Sequence, residues 1–272
     1  MDTLTFSGGT MLGLSLTVLF WLALPVTVFF LLRSRGRAQI FPVIAGAVTY
    51  FLAVRFNDLT AHLLLFRQPV GVQAAAALEL VAIFEETGRY LAMRFPLSDV
   101  RRSSAAVCYA VGHAGLECWS RAVQMIGIIG KGIDINRYGI AHFTAALSDE
   151  AAKNVTEQLQ YYADTGLFVS LLDCVHIITN FGVHTALSLL IFKKLIGEGF
   201  RLRVLAGAIL LHYALNCVSW LASLTGSRIF TSLVGIVTGT AIILLVSRII
   251  DGRQIIGEIF GTYQLRTEND AA

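Results

Sequence analysis

Residues 72–94 read VQAAAALELVAIFEETGRYLAMR. The stretch is apolar for most of its length and long enough to cross a hydrocarbon layer of about 30 Å. It nevertheless carries Glu85, Glu86 and Arg89 near its middle. A charge at the bilayer centre costs at least about 2.5–3.5 kcal/mol on insertion scales, so such groups persist only where they face a polar interior. Whether this is a span with a site, or an ordinary helix, depends on its surroundings.

Those surroundings are membrane-like. The 272 residues are 56% hydrophobic and 14% charged, against roughly 45–50% and 25% in soluble domains. A chain of this size cannot hide so much apolar surface in one water-soluble core. The apolar residues fall into seven blocks: 10–32, 39–56, 72–94, 103–127, 166–192, 202–223 and 229–249. Each is near the ~20 residues a span needs. In the second, Arg55, Asn57 and Asp58 interrupt, and 59–66 is apolar again, which leaves room for an eighth. The first block lacks a basic flank and follows Asp2, so it reads as a retained span and not a signal peptide. The fold class expected is an all-α polytopic bundle forming a single membrane domain, 1–272.

Lys and Arg alternate in density between connections. Arg33, Arg35, Arg37, Arg94, Arg101, Arg102, Lys193, Lys194, Arg201, Arg203, Arg248, Arg253 and Arg266 follow the odd-numbered spans. By the positive-inside rule the N-terminus is outside and the C-terminus cytoplasmic. These short basic clusters set topology; membrane lipid is the expected partner and nucleic acid is not. Cys108, Cys118, Cys174 and Cys217 all sit in apolar blocks without a CxxC pair, so neither a disulfide framework nor a zinc finger is expected. The outer connection, 128–165, carries Val155, Leu159 and Tyr162 at helical spacing. That predicts a short interfacial amphipathic helix, either solvated or a lid. Residues 266–272 read as a frayed tail.

Eleven ionisable groups fall within the expected spans: Glu79, Glu85, Glu86, Arg89, His113, Glu117, Arg121, Asp173, His176, His184 and His212. Glu85, His113, His184 and His212 each lie eight to ten residues from a cytoplasmic span end, roughly 12–15 Å deep. Glu85 and Arg89, His113 and Glu117, and His212 and Asn216 are i,i+4 pairs that share a helix face. Asp173, His176, Asn180, His184 and Ser188 make a polar stripe, as do His113, Glu117, Ser120 and Gln124. The stripes run from mid-depth outward and predict a hydrophilic cavity open to the outside.

Imidazoles with a carboxylate bind divalent metals, commonly zinc with three protein ligands and a water. A further carboxylate can act as general base on that water, and Asn216 can donate to a developing oxyanion. These are the parts for amide hydrolysis inside a membrane, over a core of about 72–223. HExxH, GxSxG and a phosphate loop are absent. Two other classes fit intramembrane carboxylates. One is a proton-coupled transporter, though no inverted repeat is evident. The other is a non-enzymatic immunity or scaffold protein with a degenerate site. Simple structural pairing of the glutamates with Arg89, and close packing at Gly235 and Gly239, are the plainer alternatives for individual residues.

The set Glu85-Glu86-Thr87-Gly88-Arg89, Tyr109-x-x-x-His113 and His212-Tyr-Ala-Leu-Asn216 resembles the EExxxR, FxxxH and HxxxN/D motifs of the CAAX-protease and bacteriocin-processing (CPBP, Abi) superfamily. Arg89 stands one residue closer to the glutamates than in that pattern, and Tyr109 replaces Phe. The EExGRY string ending at Tyr90, the GHxxxE of Gly112, His113 and Glu117, and the HxxxS of His184 and Ser188 are similar to the YhfC-type branch of intramembrane metalloproteases. The resemblance covers roughly 80–220. It implies an endopeptidase of a bacterial cytoplasmic membrane acting on a peptide or protein substrate. Glu85 would activate water with Glu86 assisting. His113, with Glu117, His184 and His212, would hold the metal or water, and Asn216 would bind the oxyanion. Zn2+ is the implied cofactor, with a metal-free glutamate mechanism as the alternative.

Overall fold

The structure is a computed structural model that describes residues 4–65, 67, 68, 70–195 and 201–260; the elements among them are all helices, joined by turns and short irregular connections, with no strand. In chain order the helices are α1 (Gly8–Ser34), α2 (Ile40–Leu65), α3 (Val70–Arg94), α4 (Ser103–Tyr138), α5 (Ile140–Thr144), α6 (Asp149–Ala163), α7 (Leu167–Leu195), α8 (Leu202–Ser223), α9 (Arg228–Ile249) and α10 (Gly252–Phe260). Five of them, α1, α2, α7, α8 and α9, are long and apolar enough to cross a membrane. The chain is an integral membrane protein. α3 and α4 are as long but carry more charge.

α4 is the hub. It packs on α1, α2 and α7, while α3 lies between α2 and α8, and α9 rests on α7 and α8. Every residue from Ser103 to Gly115 on α4 is buried. The α2–α4 contact is backbone on backbone: a Cβ on Gly112 would come within 1.8 Å of the Val43 carbonyl oxygen, and one on Gly46 within 2.0 Å of the Tyr109 carbonyl oxygen. Small residues permit such close approach, which substitutes dispersion contacts for the missing hydrophobic force between helices in lipid. His113 follows Gly112, so this contact also fixes the depth of its ring. On α9, Gly235 lies against the His176 ring and Gly239 against Thr179, so that pair does serve close packing.

Boundaries differ from the sequence expectation in three places. α2 runs unbroken to Leu65 instead of ending at 56, and Arg55 and Asp58 form an exposed i,i+3 pair at 3.1 Å on its surface. Intrahelical hydrogen bonds satisfy the backbone whatever the side chains do, so polar residues at a span end need not stop the helix. α4 continues past 127 to Tyr138 and stops at Gly139, whose φ of 81° ends the helix cheaply. The connection therefore begins at 139, not 128, and consists mostly of α5 and α6. Ser148 caps α6, with Asp149 and Glu150 in its first turn. Leu159 is buried, and Val155 and Tyr162 pack beside it against the ends of α1 and α4, so the apolar stripe of α6 faces protein. Third, α10 follows the last expected span, which ends at 249. It tucks Ile255 and Ile259 into the core, and Glu258 accepts hydrogen bonds from Ser103 at 2.6 Å and Lys193 at 3.3 Å. Residues 266–272 lie outside the described residues.

Candidate metal centre

The centre grows from one turn of α3. Glu86 and Arg89 are an i,i+3 pair, with Arg89 Nε 3.2 Å from Glu86 Oε2, both side chains fully enclosed. Glu85 points to α4, where its Oε2 lies 3.0 Å from His113 Nε2. Glu86 reaches α8, where its Oε1 lies 2.8 Å from His212 Nδ1. Arg89 reaches α7: Nη1 donates to the His184 carbonyl at 2.6 Å and to Ser188 Oγ at 2.9 Å, and Nη2 lies 3.0 Å from His184 Nδ1. Three adjacent α3 side chains thus tie α3 to α4, α7 and α8. The rings follow in a row, with centroids 5.1 Å apart for His113 and His184 and 5.3 Å for His184 and His212.

Donor chemistry orders this network. A guanidinium has only donors, so His184 Nδ1 accepts and Nε2 carries the ring proton, which ligation of a metal through Nε2 would displace. That nitrogen faces Glu117 Oε2 at 3.0 Å. Glu117 also takes two hydrogen bonds from Arg121, at 3.0 Å from Nε and 2.8 Å from Nη2. His212 shows the carboxylate–imidazole pairing that orients metal-binding rings, with Nδ1 on Glu86 and Nε2 left for another partner. Around His113, Tyr109 stacks at 5.9 Å and Tyr50 stands edge-on at 5.4 Å. The Tyr109 hydroxyl in turn meets Thr49 Oγ1 at 2.5 Å.

A divalent metal fits these residues. Glu85, His113 and His184 each offer a ligand atom, and the three atoms lie within 4.8 Å of one another, all buried. One carboxylate oxygen and two imidazole nitrogens are a donor set used by catalytic zinc. His113 Nδ1 is in addition buried with no hydrogen-bond partner. Of the residues expected as ligands, His113 and His184 meet in this trio. It is completed by Glu85, expected as the water-activating acid. Glu117 and His212 stand beside it, each hydrogen-bonded to a neighbouring residue. Asn216 lies one turn beyond His212 on α8, at a polar cavity of about 360 Å3. Glu117, Arg121, Asp173, His176 and Asn180 line the same cavity. Glu79 is exposed on α3, away from the cluster. Sequence reasoning missed Thr49 and Tyr50. A threonine and a tyrosine in an apolar run carry no signal of their own, and only the α2–α4 contact brings them to His113.

Comparison with curated proteins and with solved structures finds no match. A family model described as YhfC intramembrane metalloprotease matches residues 20–238, which include all of the clustered side chains. The chain therefore belongs to the YhfC intramembrane metalloprotease family.

Proposed function

We propose that the protein is an intramembrane endopeptidase that hydrolyses a peptide bond at mid-membrane depth. One observation carries this reading: Glu85, Glu86, His113, His184 and His212 from four helices are all buried and joined side chain to side chain or ring to ring. Lipid-facing helices have no use for such a cluster, and five charged or ionisable groups would not gather there against their desolvation cost without a task.

In this proposal α3 and α4 cross the membrane with the five apolar helices, giving seven spans with the N-terminus outside and the C-terminus cytoplasmic. The membrane is a bacterial cytoplasmic one, and the likeness of the motifs to the CPBP pattern supports membership of that superfamily. The whole chain is one membrane domain with its catalytic core at about 72–223. The bound cation is Zn2+, which when present supplies Lewis-acid activation of water. Glu85 has two carboxylate oxygens: one would hold the cation with His113 and His184, and the other accepts a proton from the attacking water and returns it to the leaving amine as the C–N bond breaks. Glu86 orients His212, and Arg89 holds Glu86 and His184 in register. His113 and His184 position the water and the cation. Asn216 donates its amide N–H to the oxygen of the tetrahedral species.

The test is a proteomic comparison of wild type with Glu85→Gln, joined to metal analysis of the purified protein. Loss of a general base is expected to slow cleavage about 10²–10⁴-fold, so substrate accumulates uncut. Wild type should carry one zinc per chain and His113→Ala none. An unchanged proteome together with a metal-free wild type would end the proposal.

A further inference from the structure

The polar cavity of about 360 Å3 lies at the end of the bundle that carries α6, and Tyr161 and Tyr162 of α6 close part of its wall. Arg228 of α9 sits over both rings, 4.9 and 5.5 Å from their centroids, and bonds Thr165 just past α6. At the inner end is Glu117, which faces His184 and thereby the metal trio. The cavity is thus a chamber that ends at the centre, with a volume in the lower range of small-ligand sites.

Its charged groups cancel in pairs. Glu117 is held twice by Arg121, and Asp173 takes Arg228 at 2.6 Å and the Ser232 hydroxyl at 2.6 Å. An entering ion would meet no uncompensated counter-charge to offset its lost hydration. What remains unengaged is neutral. His176, Asn216 and Ser219 line the cavity and make no hydrogen bond to another described residue. An amide, a hydroxyl and an imidazole each combine donor and acceptor capacity. That complements a guest presenting N–H and C=O groups in alternation. A helical segment has none to offer, because it satisfies its backbone internally.

From this we infer that the cavity binds an unwound, uncharged stretch of polypeptide adjoining the scissile bond, on the α6 side of the bundle. The inference rests on the protease reading for what the bound chain is. The backbone amides of that stretch are hydrogen-bonded by His176, Asn216 and Ser219.

The experiment uses the full chain in detergent with its four cysteines replaced by alanine. Ser219→Cys on α8 and, separately, Thr231→Cys on α9 report occupancy through their rate of modification by N-ethylmaleimide. The probes are acetyl-Ser-Gly-Ser amide, sodium acetate and tetramethylammonium chloride. The neutral peptide is expected to slow both cysteines, by about threefold at twice its Kd. The two ions should leave them unchanged, and Val237→Cys on the lipid-facing side of α9 should not respond to any probe. Adding Asn216→Leu should abolish the protection. Absence of protection at both positions, or equal protection by either ion, overturns the inference. Metal content and cleavage are read on the same preparations. A protected cavity in a protein without zinc or cleavage would separate failure of the protease reading from failure of this one.

Discussion

α1 and α2 differ from α3 and α4 in a way that reverses the rule for soluble proteins. Leu19, Phe30, Phe51 and Leu63 on the first pair are all more than half exposed. Glu86, Arg89 and His113 on the second pair have no exposure at all. The helices most obviously apolar form the lipid-facing wall. Those too charged to pass as spans by composition supply the acids, the arginine and the first histidine of the centre. In lipid the apolar exterior costs nothing, so the stabilising specificity must come from polar contacts and close backbone packing in the interior. The comparison predicts that substitutions inside the second pair are severe and substitutions on the outside of the first are mild.

The largest effect is expected at Arg89. Replacing it by Leu leaves Glu86 enclosed without its cation and frees the His184 carbonyl and Ser188. Removing one partner of a buried pair typically costs about 3–5 kcal/mol. Arg89→Lys should recover only part of this, because an ammonium cannot present the fork that reaches Glu86 and His184 together. Unfolding of the reconstituted protein in mixed SDS micelles measures both. A loss below 1 kcal/mol for Arg89→Leu would break the contrast between the two pairs.

Gly112→Ala comes next. The added methyl would lie 1.8 Å from the Val43 oxygen, so α2 and α4 must separate. Overpacking of this kind costs about 1–3 kcal/mol and sometimes more. Because His113 is the neighbouring residue, zinc occupancy should fall along with stability. Gly130→Ala, on the same helix with open space around it, should leave zinc occupancy unchanged and lower stability not at all, the better helix former adding up to about 1 kcal/mol.

Much of this was legible in the sequence. Distance from the span ends brings Glu85, His113, His184 and His212 to one level, and the i,i+4 spacing puts Glu117 next to them. Which atoms pair is not encoded in depth or spacing. The partition of the glutamates, Glu85 to His113 and Glu86 to His212, depends on helix rotation, and no periodicity encodes rotation between helices. The extension of α4 was hidden for another reason. Residues 128–138 carry Gly130, Gly132, Lys131 and Asp134, which read locally as a loop. Tertiary contacts override that preference. Ile128 and Ile135 are buried, Gly132 lies against the Phe6 ring, and Asn136 exchanges hydrogen bonds of 2.7 and 2.8 Å with the Phe6 backbone. The N-terminal segment before α1 thus holds the end of α4 helical.

The smallest effect that still sharpens the contrast is at Tyr109. Its ring stacks on His113 and its hydroxyl meets Thr49. Tyr109→Phe keeps the ring and deletes one hydrogen bond between helices, worth about 0.6 kcal/mol on average within membranes. Stability should fall by about that amount and zinc content should hold, since neither metal trio nor backbone contact is touched. Tyr109→Leu removes the stacking surface as well and should loosen the His113 ring, lowering zinc affinity while α2 and α4 stay packed through Gly46 and Gly112. If the two substitutions behave alike, the aromatic face does not hold the histidine, and the backbone contact between α2 and α4 alone sets its position.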